Sequence, residues 1–239
     1  MDRLDRKQIK HDEFVESTFK VFQWFEAHPK PFLIGAAALV VATVAVWGVT
    51  RLTASSANSS ADLLARGQAA FDAPVAVGEA PKPDDPYRPT FSSDTERAKK
   101  AAARLAEAAD KAGGSAGKVA AYLQGIALVE AGDGPGAVKV LEGAASSLGG
   151  DATLGGPVKS GLAHAYELAG QADKAADTWK GLTTDASYPK DVALTGLGRA
   201  LEKQGKREDA KAAYKQVVDQ FPGSPMSAAA KSALERLGA

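Results

Sequence analysis

Three glycines, Gly132, Gly170 and Gly205, recur at intervals of 38 and 35 residues, and three alanines, Ala137, Ala175 and Ala210, keep the same intervals. Such a repeat restricts the fold more than any composition does. A unit of this length holds two helices and a turn, too little to enclose a core alone, so successive units must stack and share one. Apolar residues between the glycines follow helical spacing, which predicts an all-α chain from about residue 95 to the end. Abundant alanine and glycine, with only three Trp, suit helices packed at close range rather than a sheet.

The clearest unit is the last. It reads Leu194-x2-Leu197-Gly198-x2-Leu201, then Gly205, Ala210-x3-Tyr214 and Pro222. The middle unit gives Leu162-Ala163-x2-Tyr166, Gly170 and Ala175-x3-Trp179, with Pro189 late. The first gives Gly125-x2-Leu128, Gly132 and Ala137-x3-Leu141. This pattern resembles the tetratricopeptide repeat, with Leu at its usual Trp and Tyr positions in the last unit. Each position has a physical reason: the small residue of the first helix lets the alanine of the second come near, the large residues fill the groove, and the glycine takes a left-handed helix end. The segment Thr95–Ala112 reads as the second helix of a degraded repeat whose first helix is Ala61–Asp72. Between them Ala73–Asp94 holds five prolines in 22 residues, which predicts a long loop. Ser224 with Pro225 predicts an N-capped final helix, to about Leu237, covering the end of the stack.

The N-terminal part differs. Pro31–Thr50 is twenty residues without a charge, long enough as a helix to span a hydrocarbon core of about 30 Å. It is expected to be a single transmembrane helix, with residues 31–52 as the anchor and 1–30 as a tail. Phe14, Val15, Phe19, Val21, Phe22, Trp24 and Phe25 cover one side of a helix over residues 12–27, suited to the membrane interface or to a partner in the membrane. Six basic residues precede the span within thirty positions and two follow it, Arg51 and Arg66. That bias predicts a cytoplasmic tail and a C-terminal domain across the membrane. Cleavage near Ala54-Ser55-Ser56-Ala57 is the alternative, against which stand the length of the apolar run and of the tail. Residues 53–94 are then spacer, first helix and Pro-rich loop, and 95–239 the repeat domain.

Beyond Arg51, 22 basic residues face 23 acidic ones, which leaves no electrostatic footprint for nucleic acid. The chain has no Cys, so disulfides and thiolate chemistry are excluded. His11, His28 and His164 offer no metal-ligand spacing. Gly132-Asp133-Gly134-Pro135-Gly136 lacks the Gly-Lys-Ser/Thr ending of a phosphate loop and reads as a turn. No nucleophile elbow surrounds any Ser. No cofactor, no metal and no catalysis are expected; the remaining function is protein binding. A repeat stack offers the face lined by its first helices, here Tyr122 and Ile126, then Ser160, His164 and Glu167, then Thr195, Arg199, Glu202 and Lys203. For each of these the alternative is an ordinary solvated helix face.

Taken together, charged tail with Lys10-His11-Asp12-Glu13-Phe14-Val15-Glu16, single span, Ala73-Pro74-Val75 before Glu96-Arg97-Ala98, and an ending Phe221-Pro222-Gly223-Ser224-Pro225 resemble the membrane-anchored YfgM-like ancillary subunits of the Sec translocon. The resemblance implies an inner-membrane scaffold with periplasmic repeats, whose partners are translocon subunits, exported proteins or periplasmic chaperones. The Pro-rich loop departs from a regular repeat, so the resemblance carries no residue-by-residue binding surface. A structural role in another envelope machine, for division or outer-membrane assembly, and a regulatory subunit of an enzyme are the alternatives.

Overall fold

The computed structural model describes residues 59–76 and 85–238. The expected amphipathic helix, the span over 31–50 and most of the spacer lie outside the described residues, as does the middle of the Pro-rich loop. Among the described residues no helix is long and apolar enough to cross a membrane. What is described is a run of α-helices. These are α1 (59–71), α2 (Asp94–Lys111), α3 (Gly114–Glu130), α4 (Gly134–Leu148), α5 (Gly155–Leu168), α6 (Ala172–Leu182), α7 (Lys190–Lys203), α8 (Arg207–Gln220) and α9 (Pro225–Leu237). From α2 onward each helix packs on the next, and α3 also meets α5 while α7 meets α9. Helix pairs α3/α4, α5/α6 and α7/α8 are the three units expected from the period, α1/α2 is the interrupted one, and α9 closes the row.

The helix ends follow from particular residues. Gly132, Gly170 and Gly205 have φ of 80°, 74° and 75°, the left-handed region where only a residue without Cβ is unstrained. They terminate α3, α5 and α7. The glycine-rich run at 132–136 is such a junction: Gly132 ends α3, Asp133 accepts from Gly136 N–H at 2.9 Å, and Pro135 lies in the first turn of α4. Ser224 caps α9 through the Met226 N–H at 3.0 Å, with Pro225 at the first position.

In the pairs α3/α4 and α7/α8, the small residue of the first helix lies beside the large residue of the second, sixteen positions on. A Cβ added at Gly198 would lie 2.7 Å from the Tyr214 ring, and one at Gly125 would run into the Leu141 side chain. The sequence reading put the alanine of the second helix beside this small residue; the nearest side chain belongs instead to the large one. Ala137, Ala175 and Ala210 are fully buried all the same. Between pairs, Gly161 faces Ile126 and Gly196 faces the Trp179 indole, two glycines that the repeat pattern does not single out. Leu141, Leu162, Tyr166, Trp179 and Leu182 belong to one apolar cluster running through the first and middle units.

The interrupted unit closes through its loop. Phe91 is buried with Ala70, Ala73, Ala101 and Leu105, and Gly67 of α1 abuts Leu105 of α2. The two ends of the loop meet in one parallel bridge, Val75 with Phe91, where the Ala76 N–H donates to the Phe91 carbonyl at 2.9 Å. The prolines predicted an entirely irregular loop; this bridge is a local exception that they leave room for, because both N–H donors, Ala76 and Phe91, are not proline, and Pro74 contributes only its carbonyl, which accepts from Phe91 N–H at 3.4 Å. Tyr87 folds back on α1, its hydroxyl donating to Asp62 while the Arg66 guanidinium lies 5.3 Å from its ring centre.

Substituting Gly198→Ala should lower stability by about 1 kcal/mol or more, since the Tyr214 ring is buried and its hydroxyl is held by Glu202, so that overpacking outweighs the gain in helix propensity. Gly143→Ala, on an open face of α4 with no neighbour, should instead raise it by roughly 0.5–1 kcal/mol. Chemical denaturation of the two variants measures both.

Candidate functional site

The first helices α3, α5 and α7 carry the residues expected on the binding face, and the structure sorts them into four groups. Ser160 and Thr195 turn their hydroxyls to their own helices, donating to the Pro157 carbonyl at 2.9 Å and the Asp191 carbonyl at 2.7 Å. Tyr122 and Ile126 are half-buried. Tyr122 packs beside Leu148 and Val158, and burial, with Tyr188 nearby, raises its hydroxyl pKa.

His164, Glu167, Arg199 and Lys203 come together in one cluster. Glu167 is its centre, with only 5% of its side chain exposed. Its Oε1 accepts from Trp179 Nε1 at 2.8 Å and from Arg199 Nη2 at 3.0 Å. Its Oε2 accepts from Arg199 Nε at 2.7 Å and faces Lys203 Nζ at 3.3 Å. The forked contact from Arg199 is the geometry in which a guanidinium binds carboxylate most strongly. Arg199 Nη2 also lies 3.3 Å from His164 Nδ1. The His164 ring stands edge-on to Trp179, with centres 5.0 Å apart. Three helices are thereby tied: α5 by His164 and Glu167, α6 by Trp179, α7 by Arg199 and Lys203.

Glu202 belongs elsewhere. It accepts from Tyr214 hydroxyl at 2.6 Å and from both terminal nitrogens of Arg236, at 2.5 and 3.1 Å. It therefore braces α7 and α8 to the closing helix α9. The two acids occupy equivalent places, 35 residues apart. Each bonds the polar tip of an aromatic residue twelve positions later and an arginine of the next first-type helix, Arg199 or Arg236. The first unit has Val129 and Leu141 at the corresponding positions, both apolar. From the repeat pattern Trp179 and Tyr214 are expected only to fill space, and Arg236 belongs to no motif. The signal that finds them is the shared acid-to-aromatic spacing of twelve.

Charge follows from this geometry. Burial pushes the Glu167 carboxyl up, but the Arg199 contacts and the Trp179 hydrogen bond outweigh it and hold the pKa below the ordinary 4.5. His164 is lowered from 6.5, first by desolvation and then by the Arg199 charge. Glu202 is lowered chiefly by Arg236. Burial and the bond to Glu142 raise Tyr166 to about 12. No group of three or more His, Cys, Asp or Glu side chains among the described residues could hold a metal ion.

Both shifted groups at the cluster act in the same direction. Below pH 6.5 the unfolded chain takes up a proton at His164 that the folded chain resists. Below 4.5 it does so again at Glu167, so stability falls on acidification through each window. Glu167→Gln should lower stability by about 1–3 kcal/mol at neutral pH and remove the lower part of the acid decline. Thermal unfolding of wild type and variant from neutral to acidic pH checks both.

Residues 192–224 match the family model described as the tetratricopeptide repeat. Two similar solved structures are crystal structures of Podosopora anserina putative kinesin light chain nearly identical TPR-like repeats, one of them a point variant. They are 18% and 19% identical, with TM-scores of 0.51 and 0.50, covering 59% of this chain and 77% and 78% of theirs. None of the curated proteins compared with the chain matches it. The described residues form an all-α, tetratricopeptide-like helical repeat domain, in which the unit α7/α8 is the one that the family model matches.

Proposed function

We propose that the chain is a non-enzymatic protein-binding scaffold, held in the bacterial inner membrane by the apolar segment at 31–50 with its repeats on the periplasmic side. There it assists protein export or the assembly of envelope proteins. The observation that carries the binding role is the cluster on α5 and α7. Three polar side chains reach from the first helices to solvent around one buried carboxylate, on the face where a repeat stack receives its ligands. Membrane placement rests on the twenty uncharged residues and the basic excess before them. The export role rests on the order of tail, span and repeats that resembles the ancillary translocon subunits.

Photo-cross-linkers placed at Ser160 or Lys203 in intact cells should capture proteins, with translocon subunits, exported chains or periplasmic chaperones among them. One placed at Ser146, exposed on α4, should not. Capture from all three positions alike, or from none, overturns the binding role of this face. The repeat domain should resist protease in inverted vesicles and be cut in spheroplasts; the reverse pattern overturns the orientation. Replacing residues 1–52 by an unrelated anchor should abolish recovery of translocon subunits. Recovery of a division or outer-membrane assembly machine instead would move the chain to that setting.

A further inference from the structure

We propose that the α5–α7 part of this face takes acidic side chains of a bound protein segment, through Arg199 and Lys203. The inference rests on the scaffold reading and adds the chemistry of its partner. Its first support is the uneven exposure of the charges. The Glu167 side chain is 5% exposed, whereas Arg199 and Lys203 are 40% and 46% exposed. A ligand therefore meets two cations whose counter-charge lies beneath them, and one buried negative charge against two positive ones leaves an excess of one. The second is donor capacity. A guanidinium has five N–H donors and an ammonium three. Glu167 and His164 engage Arg199 through Nε and Nη2. Arg199 Nη1 has no protein partner among the described residues, and Lys203 meets only Glu167 there.

Competing acids on this face are absorbed elsewhere. Glu202 is held by Tyr214 and Arg236, and Asp191 accepts from the Ser224 hydroxyl. Spacing adds a third support. The backbones of α3 and α5 approach closely, as do those of α7 and α9, but α5 and α7 do not to the same degree. That wider junction is bridged by the long side chains of the cluster, whose ends stay accessible. Leu168, the residue after Glu167, is exposed, and one first-type helix away Tyr122 and Ile126 are half-buried. The partner is thus a segment with acidic side chains next to apolar ones. Its carboxylates share the donors that Glu167 leaves unused, a charge-assisted contact at a partly desolvated position.

The probe is a fluorescein-labelled, C-terminally amidated peptide of alternating glutamate and leucine, titrated into the full chain and followed by anisotropy. It should bind at least about tenfold more tightly than its glutamine counterpart and weaken as salt is raised. Lys203→Gln and Arg199→Gln should each weaken it by about tenfold or more, with circular dichroism confirming the fold of each variant. Lys203, exposed at the end of α7, keeps the test meaningful should Arg199→Gln disturb folding. Equal binding of the glutamine peptide, or unchanged binding by Lys203→Gln, overturns the proposal. So does equal binding of a glutamine peptide bearing a free terminal carboxylate, because the recognised group is then a chain end. If cross-linking from Ser160 and Lys203 captures proteins while the acidic peptide does not bind, the scaffold reading stands and the acidic preference falls.

Discussion

The pairs α3/α4 and α7/α8 are each set by one contact, in which a glycine lies beside a large residue sixteen positions later. Gly125 with Leu141 and Gly198 with Tyr214 show it directly. Close packing fixes the crossing of the two helices, because a void on either side would forfeit dispersion contacts and any added atom would clash. Gly161 and Gly196 repeat the arrangement between neighbouring pairs. With such constraints within and between pairs, the position of one helix is passed to the next along the row, and the polar face inherits its geometry from this apolar packing.

On that frame the two acidic braces do a different job. Apolar packing sets how near the helices lie and how they cross, but it supplies no hydrogen bonds between them. Glu167 and Glu202 add directional bonds, each to an aromatic tip within the pair and to an arginine from the next first-type helix. A buried carboxylate would destabilise the fold if left alone, so its partners must stay in place once it is enclosed. The braces therefore align α7 on α5 and α9 on α7. In the first of them the cations remain partly in water, which is what allows one cluster to hold the structure and meet a partner.

Much of the fold was legible in the chain. The glycines at 132, 170 and 205 marked helix ends because a positive φ is costly for any other residue, and all three adopt it. Ser224-Pro225 marked the start of α9 because its capping chemistry is local. His164, Glu167, Arg199 and Lys203 were placed together by mapping the lining of a repeat's first helices onto the chain, and the four side chains do meet. The partners were harder to see. Ser160 and Thr195 lie on the expected face yet bond their own helices, and Glu202 turns to α9, choices made by side-chain rotation after packing.

The sequence by itself determined the helices, their ends and their order, since capping, helical period and backbone strain act over a few residues. It also determined that residues 31–50 carry no charge while the later part of the chain is almost neutral. Only the tertiary structure decided which acid is buried, which arginine reaches it, and that Trp179 closes the cluster from a third helix. Those contacts join residues 12 and 32 positions apart, and such distances are set by how helices stack rather than by local preference. Desolvation of Glu167 arises at the same stage, because it depends on what surrounds the carboxylate rather than on the residue itself.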